Sequence, residues 1–483
     1  MHKFVNKYNK LPKQVKASFW FLICSFMQKG ISAISTPIFT RLMSTAEYGQ
    51  FNNFLSWESI LRVLITLNLF YGIYTSGLVK YKERRPEFVS ALQGLTLSLV
   101  FLWYIIYFIF NDFFNELFSL TTTQMVCLIG QVWTTAVFSF WAAEQRVEYE
   151  YRRLVLITIV VSIAKPLVGV ILITHFADKV TARIVGLFIV ELVSYGWMLI
   201  AQVKRHPKLY SSFFWRYALK FNIPLIPHYL AQNILSSSDR IMIIRMISDE
   251  KAGIYSLAYS ISLIMNLFNT ALTQTIGPWV YERIKSRREE EISRIINPAI
   301  VSIAVVNFLL IVFAPEVVHV FAPTAYHEAI WTIPPVTMSV YFIFLYNMFS
   351  YYEFYYEKTA FIAAATMIAA LLNLILNYVC IQVFGYIAAG YTTLACYILY
   401  ALGHYFVMKK IAHEYLDDHS IIAAKKVALI TICFMSASFF VMVFYEHIII
   451  RYLLLALFIT IAIGFRRRIT GFLSMLFNIR KNG

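Results

Sequence analysis

Charge is scarce in this chain. Asp, Glu, Lys and Arg make up 14% of its 483 residues, where a soluble domain carries roughly 25%. Acid is scarcer than base, with 26 Asp and Glu against 42 Lys and Arg. Cysteine occurs five times, at Cys24, Cys127, Cys380, Cys396 and Cys433, always in apolar surroundings and never as CxxC or CxxH. That spacing leaves no thiolate metal site and no disulfide framework, so the five read as small apolar residues. The sequence also lacks a Walker lysine loop, an HExxH pair and a GxSxG elbow. No polar connection is long enough to fold alone; the longest on the cytoplasmic side, roughly 409–424, is MKKIAHEYLDDHSIIA.

What is abundant is apolar. Hydrophobic residues reach 59% and aromatics 17%, and the mean hydropathy is +0.65. Runs of about twenty apolar residues, the length that crosses a hydrocarbon core as helix, recur from end to end. Backbone polar groups in lipid must satisfy one another, so such runs are helices; they are too long and too continuously apolar for barrel strands. The expected fold class is all-α polytopic membrane protein. Fourteen candidate spans lie near 17–40, 50–78, 88–110, 121–143, 154–176, 182–203, 214–246, 252–279, 295–314, 326–350, 359–382, 385–408, 425–445 and 447–465. A chain that is nearly all membrane favours passage through the bilayer over covalent chemistry. The first sixteen residues hold five lysines and run into apolar helix without a small-x-small site, which reads against a cleaved signal peptide.

With the N-terminus placed in the cytoplasm, cytoplasmic segments hold 30 of the 42 Lys and Arg, and the opposite side holds six: Arg41, Lys179, Arg183, Arg245, Lys251 and Arg451. This asymmetry is the positive-inside pattern. The basic excess therefore reads as a topology anchor near anionic headgroups, and no nucleic acid is needed to explain it. A multi-pass membrane protein with both termini cytoplasmic is expected.

RLMSTAEYGQF at 41–51 has a counterpart in RMISDEKAGIY at 245–255, matching Arg41 with Arg245, Ser44 with Ser248 and Gly49 with Gly253. The copies are six spans apart, and an even count keeps the same orientation, which implies parallel halves. The expected organisation is a six-helix lobe at 1–210, a second at 211–410, and a helix pair with a cytoplasmic tail at 411–483.

An ionised side chain at mid-bilayer depth is expensive and normally faces water or a partner. The first half places Lys29, Arg62 and Lys165 at such depth. Glu58 lies one turn before Arg62 and can pair with it; Lys29 and Lys165 have no acid at i±3 or i±4. Facing one cleft, these cations form an anion site suited to a phosphate or diphosphate; snorkelling and structural pairing are the alternatives. Glu191 reads as a carrier of a coupling proton or sodium ion, or as a partner of Lys165.

In the second half, Pro224 and Pro227 should bend span 214–246. A polar run follows, in which Asn233, Ser237 and Arg240 share a face beside Asp239. Asn266, Thr270 and Gln274 form a polar face on the next span. Both stripes suit sugar hydroxyls, or serve as ordinary interhelical glue. His404 lacks metal companions and reads as a packed, hydrogen-bonding residue, while YYEFYYEK at 351–358 fits an interfacial aromatic belt.

The order of KGISAISTPIFTRLMSTAEYGQF at 29–51 and IPLIPHYLAQNILSSSDRIMIIRMISDEKAGIYSLAYSIS at 223–262 within a fourteen-span frame resembles the bacterial polysaccharide flippases of the multidrug/oligosaccharidyl-lipid/polysaccharide exporter superfamily. Lys29, Arg41, Gly49, Pro224, Pro227, Asp239, Arg240 and Gly253 carry the likeness. It implies two helical lobes around a cavity and no bond chemistry. The implied substrate is an oligosaccharide on a polyprenyl diphosphate, flipped to the external leaflet for surface polysaccharide assembly, with a polysaccharide polymerase and related assembly proteins as partners. On that basis Lys29, Arg62 and Lys165 compensate the diphosphate, the polar residues of spans seven and eight face sugar, and transport needs no cofactor beyond a proton or sodium gradient. A multidrug or cation antiporter of the same fold, a flippase for another lipid-linked cell-wall precursor and a membrane glycosyltransferase are the rival readings.

Overall fold

The computed structural model describes residues 12–415, 422 and 424–464, and these are helical with no strand. Over their described residues each of the fourteen expected spans falls on helix, and the expected tail beyond residue 464 lies outside the described residues. Nine helices among the described residues are long and apolar enough to cross a membrane. The rest are shorter or interrupted by polar side chains.

The chain divides into two compact units, Met1–Ile244 and Arg245–Gly483. The first holds α1 (Lys13–Leu42), α2 (Thr45–Thr66), α3 (Ile73–Lys80), α4 (Arg85–Ile109), α5 (Asn111–Phe118), α6 (Thr122–Val147), α7 (Tyr151–His175), α8 (Lys179–Val203) and α9 (Ser212–Asn222), and nearly all of α10 (Ile226–Met246). The second holds α11 (Asp249–Leu263), α12 (Asn266–Lys285), α13 (Ile292–Val312), α14 (Ala314–Phe321), α15 (Ala329–Tyr355), α16 (Thr359–Phe384), α17 (Ala388–Tyr415), α18 (Ala424–Met442) and α19 (Ile448–Gly464).

The internal repeat has a structural cause. Ser44 caps α2: its Oγ accepts from the Glu47 amide at 3.2 Å while Glu47 accepts from the Ser44 amide at 2.7 Å. Ser248 caps α11 in the same way, accepting from the Lys251 amide at 3.3 Å. Such caps satisfy amides that a helix start leaves unpaired. Arg41 and Arg245 end the preceding helices, where a cation suits the dipole.

Three expected spans are broken. The 50–78 span stops at Leu67, where Leu67 (φ 49°) and Asn68 (φ 51°) enter the left-handed region and Gly72 (φ 53°) lets α3 restart. The 214–246 span turns through a 3₁₀ segment, Ile223–Leu225, at Pro224. The 252–279 span breaks between α11 and α12.

In the first unit, Tyr74, Phe88, Phe140 and Phe214 join α3, α4, α6 and α9 in one aromatic core. Gly94 is required there, because a Cβ would lie 2.0 Å from the Leu209 carbonyl oxygen. Buried Glu144 accepts hydrogen bonds from Gln202 at 3.0 Å and from Arg205, and Gln93 donates to Gln202 at 2.7 Å, tying α4 and α6 to the end of α8. Lipid offers no hydrophobic gain for helix association, so such polar contacts and close packing hold the bundle. The outward rows, such as Phe101, Ile105, Phe108 and Ile109 on α4, remain exposed and apolar, as a lipid-facing surface must be.

In the second unit α15 is the central helix, packed by α13, α17 and α18. Asn373, Asn377, Thr392 and Thr393 form a buried polar seam between α16 and α17. Arg451 is not a loop charge: it is 3% exposed and grips Glu316 through both Nη atoms, at 2.7 and 2.5 Å, while donating to the Val312 carbonyl at 3.0 Å. This fork fastens α19 to the α13–α14 corner. Arg451→Ala should destabilise the unit by about 1–3 kcal/mol, the loss of charge-assisted hydrogen bonds to a half-buried Glu316; a thermal melt of purified protein checks it. The 351–358 segment is likewise only partly a belt. Phe354, Glu357 and Lys358 are exposed, but Tyr352 and Glu353 are fully buried.

Candidate functional site

Helices α1, α2, α6, α7 and α8 of the first unit line an open cavity of about 500 Å³. Its wall carries five charges, Glu58, Arg62, Lys165, Arg183 and Glu191, amid Gln28, Ser32, Ser35, Gln131, Thr135 and Ser162.

Each charge is held by an identifiable device. Arg62 Nη1 lies 3.6 Å from Glu58 Oε1, one helical turn away, a loose pair that leaves the guanidinium its other donors. Lys165 Nζ binds Glu191 Oε1 at 2.5 Å, and Thr134 and Thr135 donate to Glu191 Oε2 at 2.8 and 3.4 Å. Glu191 is therefore saturated, with a side chain only 4% exposed. Pro166 removes a backbone donor inside α7 and frees the Ser162 carbonyl from its helical partner. The two pairs form one electrostatic unit, since Glu58 interacts with Lys165 and Glu191 as well as Arg62.

Arg183 is the residue that sequence reading placed elsewhere, on the external surface. Its guanidinium carbon sits 3.5 Å from the ring centroids of both Phe39 and Phe51. A planar cation stacked between two aromatic faces is held in place by both rings. Gly169 makes room for this arrangement, its missing Cβ lying 3.2 Å from Phe39 and 3.8 Å from the Arg183 stem. The cavity thus counts three cations against two carboxylates.

The remaining sequence candidates lie elsewhere. Lys29 is exposed, and although Gln28, Ile31, Ser32 and Ser35 of the same helix line the cavity, Lys29 does not. Asn233, Ser237, Asp239 and Arg240 sit on α10 outside the lining. Ser237 meets Ser59 at 3.1 Å and Arg240 donates to Ser56 at 3.4 Å, so this stripe seats α10 on α2. Asn233 donates to the Tyr229 carbonyl at 2.8 Å, and Asp239 is buried. Asn266 and Thr270 belong to the second unit: the Thr270 hydroxyl donates to the Asn266 carbonyl at 2.7 Å, and the Asn266 side chain accepts from Asn269 at 3.3 Å. No group of three or more His, Cys, Asp or Glu side chains able to hold a metal occurs among the described residues. The five cysteines are free thiols; Cys433 is exposed and Cys380 half-buried, while Cys24, Cys127 and Cys396 are buried.

Solved structures share the helical fold that carries this cavity. The lipid II flippase MurJ in an inward closed conformation superposes with TM-score 0.72 at 14% identity, over 92% of this chain and 99% of that one. An inward-facing multidrug resistance MATE family transporter of the MOP superfamily gives 0.58 at 12% identity, over 80% and 96%. A MATE protein in complex with MaD3S gives 0.56 at 13% identity, over 83% and 96%. These likenesses establish the fold. Residues 15–283 match the family described as polysaccharide biosynthesis protein, and the chain belongs to that family. No curated protein sequence matches it.

Proposed function

We propose that this protein is a flippase carrying oligosaccharide units on a polyprenyl diphosphate from the cytoplasmic to the external leaflet of the bacterial inner membrane. The observation that carries this reading is the charge balance of the cavity: three cations, one of them clamped between rings, against two carboxylates already engaged. Low-dielectric walls strengthen that surplus towards a diphosphate. Arg62 and Arg183 supply forked donors and Lys165 a point charge, while Ser32, Ser35, Thr135 and Ser162 offer hydroxyls. The fold shared with a lipid II flippase supports a lipid-linked diphosphate as the substrate class, and the family supports a glycan headgroup. A cation antiporter needs an acid open to its solute, and both cavity acids face cations. The prenyl tail stays in lipid, so only the headgroup needs the passage; a polymerase on the external side is the expected consumer.

The test is the sidedness of polyprenyl-diphosphate oligosaccharide in membranes with and without the protein. Accumulation on the cytoplasmic face in its absence, relieved by the intact gene, is the expected result. Unchanged sidedness in a host that makes the full glycan defeats the proposal.

A further inference from the structure

Deep in the second unit, Glu353 of α15 and His404 of α17 form an acid–histidine pair that the cavity does not use. His404 Nδ1 and Glu353 Oε1 are 2.7 Å apart, and both side chains are 0% exposed. Their outer atoms, Glu353 Oε2 and His404 Nε2, have no hydrogen-bond partner among the described residues. Rings close the site: Tyr346 from α15, Phe361 from α16 and Tyr400 from α17 lie 5.6, 5.6 and 4.5 Å from the imidazole centroid. Tyr346 and Tyr400 are the titratable groups facing the pair, the latter bonded to Thr366 of α16 at 3.0 Å. No Lys or Arg among the described residues makes an ion pair or hydrogen bond to Glu353.

We propose that Glu353 and His404 form a proton-binding site through which the second unit couples transport to a proton gradient. This rests on the flippase reading and names the ion and the place it binds. Holding two protons, one in the Oε1–Nδ1 contact and one on Nε2, the pair is neutral overall, as imidazolium–carboxylate or as imidazole–carboxylic acid. When one of the two leaves, the other still bridges Nδ1 and Oε1, and a single negative charge remains in an apolar, ring-lined site with no cation beside it. Buried charge without a partner is costly, so the loaded and unloaded states favour different packings of α15 against α17. A group whose occupancy changes the packing of two central helices can bias a two-state transporter. The acids first considered for coupling, Glu58 and Glu191, are engaged with Arg62 and Lys165 instead.

The experiment uses the full chain in proteoliposomes and a fluorescent-tagged short-chain polyprenyl diphosphate, with flipping read by loss of label to an impermeant reductant, with and without an imposed pH gradient. In wild type the gradient should raise the rate about fivefold or more, a usual scale for coupling. In Glu353→Gln, His404→Gln and the double Gln variant, which keeps a neutral hydrogen-bonded pair, the ratio of the two rates should fall to about one. Equal stimulation in wild type and all three variants, or none in wild type, overturns the proton site and leaves the flippase standing. No flipping by wild type overturns the flippase reading and the proton site with it.

Discussion

Lys165→Ala is expected to destabilise the first unit by about 3–5 kcal/mol, because it strands a buried carboxylate. Glu191 is 4% exposed and oriented by Thr134 and Thr135 towards a charge that alanine lacks. The second substitution of the cycle decides the cause. Lys165→Ala with Glu191→Gln removes the stranded charge while the Gln carbonyl still accepts from Thr134, so the double variant should recover most of the loss. Thermal melts of the two single variants and the double in one detergent check this. A double variant no more stable than Lys165→Ala would show that packing of the lysine stem, not charge, holds the site.

Arg183→Ala should lower flipping of a diphosphate lipid by about 10–100-fold, the loss of one charge-assisted hydrogen bond at about 1.5–3 kcal/mol. A thermal melt of the same variant separates this loss from any change in stability, since Phe39 and Phe51 can close over the gap. Arg183→Lys is the informative companion. Lysine keeps the charge but loses the planar fork that stacks between rings, so activity should recover only in part. Full recovery would mean that charge alone matters, and no loss in Arg183→Ala would remove the residue from the substrate path.

Much of the fold could be read before any coordinates, because hydropathy in lipid is a coarse and strong signal. Over their described residues all fourteen expected spans fall on helix, and the matched Ser44 and Ser248 turned out to be helix caps. The break after Thr66 was hidden. Leu67 and Asn68 carry the left-handed turn without the Gly or Pro that usually announces one. Of the site, Glu58 with Arg62 was legible from i,i+4 spacing, and pairing of Lys165 with Glu191 was one of two readings open. Arg183 was not legible as a cavity residue. It sits in the first turns of α8, where a loop charge looks the same, and its ring partners are far away in sequence on α1 and α2. Lys29 shows the converse limit: sequence gives its depth, but which stripe of α1 meets the cavity depends on neighbouring helices. Glu353 and His404, 51 residues apart, meet only through the packing of α15 on α17.

The most direct measurement is the flipping of a polyprenyl-diphosphate oligosaccharide by purified protein in proteoliposomes, in parallel with uptake of a cationic dye. The cationic cavity predicts that the diphosphate lipid moves, that free diphosphate competes with it, and that the dye does not move. Dye transport with a stationary lipid would contradict the account and make this protein a cation exporter built on the same fold.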